Sequence, residues 1–191
     1  MKEYFKDKKK GFYIDVGCYH PIRLSNTRFL YEKGWRGINI DINKKSVDLF
    51  KIARKNDINL NIAVGSKNKI SNIYFQKELF HANTLNYRHA KKFLKKIIKK
   101  KTNVSTLDLI INKYFNKKKI DFIDIDVEGN DLEVLQGLNL SKYEIDLISI
   151  EMHGYDVYTK KKASLIFDIM KKNSFRNIFG QYPDTIFFKK F

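Results

Sequence analysis

Phe175-Arg176-Asn177-Ile178-Phe179 and Thr185-Ile186-Phe187-Phe188-Lys189 are two strand-like runs joined by Gly180-Gln181-Tyr182-Pro183-Asp184. That connection is too short for a crossover helix, so the two runs must pair antiparallel. Everything before them reads differently. Short apolar runs alternate with amphipathic stretches, the pattern of an α/β fold with a mainly parallel, doubly wound sheet. The first strand is Phe12 to Gly17, and a helix follows over Ser25 to Lys33, with Gly34 as its stop signal. Gly37 to Asp41 is a second strand, Lys44 to Arg54 a helix and Asn59 to Val64 a third strand. Ile70 to Gln76 and Lys95 to Val104 add peripheral strands, the second of which also reads as a helix. Ser105 or Thr106 caps a helix carrying Leu107, Ile110, Ile111 and Tyr114 on one face. Ile120 to Val127 and Asp146 to Met152 are further strands, followed by helices over Asp131 to Leu138 and Lys162 to Lys172.

The chain has 191 residues, 43% of them apolar, and carries no linker-like segment or internal repeat, so a single domain over 1–191 is expected. No apolar stretch is long enough for a spanning helix, and the charged start, Met1 to Lys10, lacks a signal-peptide core. One cysteine, Cys18, excludes an internal disulfide framework, and the cytoplasm is the simplest compartment. The net charge of +17 invites a nucleic-acid partner. Most of it is lysine, in runs such as Lys8 to Lys10, Lys95 to Lys101 and Lys117 to Lys119, and no arginine cluster suited to bidentate phosphate contacts appears. These runs read as solvated edges, compatible with an anionic substrate. A homo-oligomer is also compatible.

In open α/β sheets ligands sit beyond the carboxyl ends of the strands, near the switch point. After the first strand, Gly17 allows close backbone approach, and Asp15 can contact a cationic ligand end directly or through water. The G-x-G-x-x-G turn for a pyrophosphate is absent, which counts against NAD or FAD. Asp41 ends the second strand, where an acid typically binds ribose hydroxyls; a helix N-cap is the alternative. Asn61 to Val64 would border a purine ring. Asp124 and Asp126 fall on one face by alternation, which is costly if both are buried and charged. Asp126, Glu128, Glu151 and His153 gather at two adjacent strand ends and offer a general base or a hard-metal site.

The sequence resembles the FkbM-type methyltransferases. The resemblance rests on Phe12 to Pro21, Ser25-Asn26-Thr27, Gly34 to Asp41, Ala82-Asn83-Thr84, Thr106-Leu107-Asp108, Ile120 to Gly129, Leu132-Glu133-Val134-Leu135 and Gly137-Leu138. It implies a Rossmann-like class I fold, with the antiparallel hairpin as its hallmark, and S-adenosyl-L-methionine as cofactor. It further implies O-methylation of a small molecule, or of a sugar or glycan hydroxyl in surface-polysaccharide biosynthesis. Asp15, Gly17, Tyr19, Asp41, Ile42 and Ala63 are the expected cofactor contacts. Asp126, Glu128 and His153 are the expected catalytic groups, with Asp126 and Glu151 able to hold Mg²⁺ or Mn²⁺. His20, Ser25, Asn26, His81 and Asn83 are expected to shape the acceptor pocket. Asp41 stands where many relatives have Glu, and Asp124 where Ser or Lys is more frequent; Asp124 is given no catalytic role. The alternatives are an RNA methyltransferase, which lacks here the Asn/Asp-Pro-Pro-Tyr or Pro-Cys segment such enzymes carry, and an inactive binding subunit of the same fold.

Overall fold

The computed structural model describes residues 1–117, 119–154, 156–181 and 185–191. Its main sheet has seven strands in the order β3-β2-β1-β7-β8-β10-β9. These are β1 (Phe12–Val16), β2 (Arg36–Asp41), β3 (Ile58–Asn61), β7 (Lys119–Ile125), β8 (Glu144–Glu151), β9 (Phe175–Gln181) and β10 (Thr185–Lys190). The five strands from β3 to β8 are parallel. β10 then runs antiparallel to both β8 and β9, as the short connection required. Tyr182, Pro183 and Asp184 of that connection lie outside the described residues, as does Lys118 of the third lysine run.

Strand alternation explains the layering, because successive side chains leave opposite faces. Tyr13, Phe122, Leu147 and Phe187 pack on one face with Phe5, Leu30 and Trp35. Their neighbours Ile14, Ile123, Ile148 and Phe188 pack on the other with Leu107, Leu135, Ile166 and Met170. Those last four come from α4 (Leu107–Tyr114), α5 (Asp131–Gln136) and α6 (Val157–Lys172). The opposite face is covered in part by α1 (Arg28–Glu32), while α2 (Lys44–Ala53) packs on β2 and β3.

Three local expectations are corrected, and the choice between strand and helix for the lysine-rich segment is resolved in favour of the strand. The third strand is broken at Ile62: β3 stays in the main sheet, whereas β4 (Ala63–Val64) joins a separate three-stranded sheet, β4-β6-β5. The lysine-rich segment is strand β6 (Ile98–Ser105), antiparallel to β5 (Lys69–Phe75). A short helix, α3 (Tyr87–Phe93), appears where none was expected, capped by Asn86. Finally, α6 begins at Val157 rather than Lys162, because Asp156 and Thr159 form a reciprocal capping box. No helix among the described residues is long and apolar enough to cross a membrane.

Strand order reverses between β1 and β7, which places the switch point at Gly17 and Asp126. The segment after the small sheet's β5 brings Phe80, His81, Asn83 and Leu85 to the wall of the crevice.

Candidate active site

Gly17 is the pivot. Its φ is +90°, a conformation open to glycine, and a Cβ there would stand 1.7 Å from the Asp126 carbonyl oxygen. The absent side chain therefore lets β1 and β7 close on each other as well as leaving backbone open to a ligand. Gly17 N–H donates to the Ile40 carbonyl at 2.8 Å and Asp126 N–H to the Val16 carbonyl at 2.9 Å, so three strand ends are laced together.

Register then sets a row of polar groups across the sheet. Asp15 pairs with Asp124, and Asp124 with Ser149. Asp15 and Asp124 are almost fully buried side by side. Burial pushes the Asp15 carboxyl up to about 7, with the Asp124 charge adding to it; burial also raises Asp124. The cost is offset by donors. Thr27 donates to Asp15, while Ser149 and Asn26 donate to Asp124, the latter at 2.9 Å. Thr27 in turn accepts from Arg54 at 2.7 Å. Arg54 is only 1% exposed and also donates to Ser25 Oγ at 2.7 Å, the Pro21 carbonyl at 2.9 Å and Tyr13 Oη at 3.1 Å. Ser25-Asn26-Thr27 is thus a bracket for the acidic row. Arg54, its anchor, shows in the sequence only as the end of a helix.

Asp41 is likewise buried, and burial raises it to about 6 against the pull of two backbone donors. Those are Tyr19 N–H at 2.8 Å and Asn43 N–H at 2.7 Å. Asn43, not Asp41, caps α2.

Two hollows meet at this crevice. One, of about 510 Å³, is lined by Ile42, Ile62, Val64, Phe80, Leu85 and Val127 together with Asp41 and Asn83. Ala63 is fully buried, and the wall is formed by its neighbours Ile62 and Val64. Asn83 Nδ2 donates to the Lys77 carbonyl at 3.0 Å, while its buried Oδ1 has no hydrogen-bond partner among the described residues. The second hollow, of about 520 Å³, is lined by Asp15, Asp124, Asp126, Glu128, Asn26 and Leu24. Gly17, Tyr19, His81, Asp126 and Glu128 line both. His20 and Ser25 line neither: His20 Nδ1 accepts the N–H groups of Ile22 and Arg23 at 3.1 Å, and Ser25 is spent on Arg54.

The turn after β7 is fixed from several sides. Glu128 adopts a left-handed φ of +57°. Asp131 accepts from Val127 N–H at 2.9 Å and Gly129 N–H at 3.1 Å, and Asn86 Nδ2 donates to the Gly129 carbonyl at 2.7 Å. Three histidines surround the Glu128 carboxylate: His89 at 2.9 Å, His81 at 3.6 Å and His153 at 4.0 Å. Burial works to raise Glu128, but hydrogen bonds from His81 and His89 and the nearby imidazole charges outweigh it and hold the carboxyl at about 2. Asp126 goes the other way, pushed well up by burial and then by Glu151, Asp124 and Glu128. The carboxylate oxygens of Asp126, Glu128 and Glu151 converge to within 4.8 Å. His153 lies deeper, 3.1 Å from Glu151, and lines a smaller hollow with Thr159 and Ile166 rather than either large one. His89 is buried in α3, a helix too short and polar to register in the sequence pattern.

The family model described as the methyltransferase FkbM domain matches residues 15–177, most of the chain. The chain therefore belongs to the FkbM methyltransferase family, and its α/β architecture with antiparallel closing strands is consistent with a methyltransferase. No curated protein matches it.

Proposed function

We propose that the chain is an S-adenosylmethionine-dependent O-methyltransferase acting on a small-molecule, sugar or glycan hydroxyl, with residues 1–191 forming one class I Rossmann-like domain. Surface-polysaccharide assembly is the setting favoured by the resemblance noted above. What supports this is the wall shared by the two hollows: Gly17, Tyr19, His81, Asp126 and Glu128 border an apolar pocket on one side and an acidic one on the other. The residues present fit the cofactor. The apolar pocket suits a purine, the buried Asn83 Oδ1, without a hydrogen-bond partner among the described residues, suits an exocyclic amino group, and four carboxylates around the second hollow suit a cationic sulfonium and ammonium.

When bound, the cofactor supplies an electrophilic methyl group on positively charged sulfur. The chain's own work is placement and proton handling. Asp41 receives ribose hydroxyls on the lone pairs left free by Tyr19 and Asn43. Asp126 faces both hollows, and burial and its acidic neighbours favour its protonated form. The positive charge of a bound cofactor would favour the ionised carboxylate. That carboxylate would take the proton the acceptor hydroxyl releases as its oxygen bonds to the methyl carbon and the carbon–sulfur bond breaks. Glu128 stays anionic within its histidines. His81, whose side chain is 57% exposed at the mouth, meets the acceptor. His153 acts through Glu151 and Glu128 rather than on the substrate itself.

The test pairs calorimetric cofactor binding with a methyl-transfer screen over nucleotide-linked sugars, read by S-adenosylhomocysteine release. Asp126→Asn is expected to leave cofactor binding measurable by calorimetry, since three of the four carboxylates remain, and to lower turnover by about 100-fold or more. Near-normal turnover in that variant removes Asp126 from the chemistry, and a chain that binds no cofactor defeats the whole proposal.

A further inference from the structure

His89, Glu128 and His153 come from three separate parts of the fold: α3, the turn after β7 and the end of β8. Their ligating atoms nevertheless lie within 4.8 Å of one another. Glu128 Oε2 stands 2.9 Å from His89 Nε2 and 4.0 Å from His153 Nε2. Two ligands each about 2.1 Å from one metal ion are about 3 Å apart at a right angle and about 4.2 Å apart when opposite. The cluster is thus spaced for a single ion with only slight closure. We propose that these three residues form a binding site for a divalent first-row transition metal such as Mn²⁺, Fe²⁺, Co²⁺ or Zn²⁺.

The ligand chemistry selects the class of ion. Mg²⁺ and Ca²⁺ take oxygen donors, whereas two imidazoles and a carboxylate suit transition metals. The pair anticipated from sequence, Asp126 and Glu151, lies alongside: with Glu128 it forms an overlapping triad of oxygens, and Glu151 Oε2 is 3.1 Å from His153 Nε2. These oxygens can complete the coordination or orient the imidazole.

An imidazole–carboxylate ion-pair cluster would use the same atoms, but two features favour a metal. Glu128 is held in a left-handed conformation by the Thr84 hydroxyl on its carbonyl oxygen, and such strain persists where surrounding structure imposes it for a purpose. His89, 1% exposed, is fixed by a helix whose cap, Asn86, also holds the Gly129 carbonyl, so ligand and turn are positioned by one residue. Resting on the O-methyl transfer proposed above, the ion would stand beside the shared wall, where a coordinated acceptor hydroxyl becomes more acidic.

The experiment is titration of the metal-stripped, tag-free chain with Co²⁺, followed by visible d–d absorption and by calorimetry in competition with Mg²⁺. One equivalent of Co²⁺ should bind and resist Mg²⁺ in large excess. His89→Gln and His153→Gln should each weaken Co²⁺ binding by about tenfold or more, whereas His20→Gln, in a turn outside the cluster, should not. Thermal unfolding of each variant confirms a folded chain, and Glu128→Gln provides a second test should a histidine variant fail to fold. Absence of saturable Co²⁺ binding, equal binding in all variants, or displacement by equimolar Mg²⁺ overturns the site. A chain that binds cofactor and transfers methyl groups without Co²⁺ affinity loses only the metal. Co²⁺ binding without cofactor binding keeps the metal site and removes the function proposed above.

Discussion

The Thr84 hydroxyl donates to the main-chain carbonyl of Glu128 at 2.8 Å, so a loop of the small sheet fixes a left-handed glutamate at the switch point of the large one. Thr84→Val keeps the shape but removes both that donor and the acceptor of the Asn86 N–H at 2.9 Å. Leaving that carbonyl without its partner is expected to cost about 1–2 kcal/mol of stability. Because the turn carries Glu128, turnover should fall further than stability suggests, by about tenfold or more. Parallel measurement of denaturation and kcat decides it, and unchanged turnover would show that the loop does not position the site.

Gly17→Ala tests the pivot between β1 and β7. The added methyl would overlap the Asp126 carbonyl oxygen, at a φ that L residues rarely adopt. A loss of more than about 3 kcal/mol, or failure to fold, is expected in chemical denaturation. Wild-type stability would mean that the strand ends can part without cost.

Arg54→Lys keeps the charge but cannot span Ser25, Thr27, Pro21 and Tyr13 at once. Since the acidic row hangs on this bracket, urea unfolding should show a loss of about 2–4 kcal/mol with an unchanged slope. A lysine variant as stable as the parent would demote Arg54 to a bystander.

Stability should also depend on pH. Asp15 and Asp41 are raised in the folded chain, to about 7 and about 6 from 3.8. The folded state therefore holds their protons more tightly than the unfolded state. Stability is highest while both carboxyls are protonated in the fold and falls as pH rises through about 4 to 7. Glu128, held at about 2, acts in the opposite sense but only in more acidic solution, where its protonation removes stability. Without cofactor, the melting temperature should drop between pH 5 and pH 8. A cationic ligand relieves the same carboxylates, so its thermal shift should grow over that range. A flat profile in both measurements would remove Asp15 and Asp41 from the electrostatics of the crevice.

Much of this was legible in the sequence because buried parallel strands are nearly continuous apolar runs. Phe12 to Val16 and Ile120 to Ile125 stand out, and the acids at or beyond their ends declare themselves. The rest is hidden in the sequence for physical reasons. α3 is seven residues long and mostly polar, so His89 carried no periodic signal. Arg54 follows a helix as any solvated basic residue would, and only the tertiary fold supplies its acceptors. Ile62 continues an apolar run although the backbone breaks there and changes sheets. The start of α6 was hidden because Val157, 85% exposed, interrupts the amphipathic pattern, and its capping box runs Asp to Thr rather than the commoner Ser or Thr to Glu.

The interleaving of β10 between β8 and β9 also constrains the order of assembly during synthesis. By the time β9 leaves the ribosome, every acid and histidine around the crevice has been made, yet the inner edge of β8 still lacks its neighbour. β9 must wait at a distance from β8 until Thr185–Lys190 emerges and threads the gap as the keystone strand. A nascent chain stalled short of those residues would expose two unpaired backbone edges, the surface most prone to capture by another sheet. Completion of the crevice and closure of the sheet are thereby separate events, and the second is the one that removes the exposed edges through which a nascent chain aggregates.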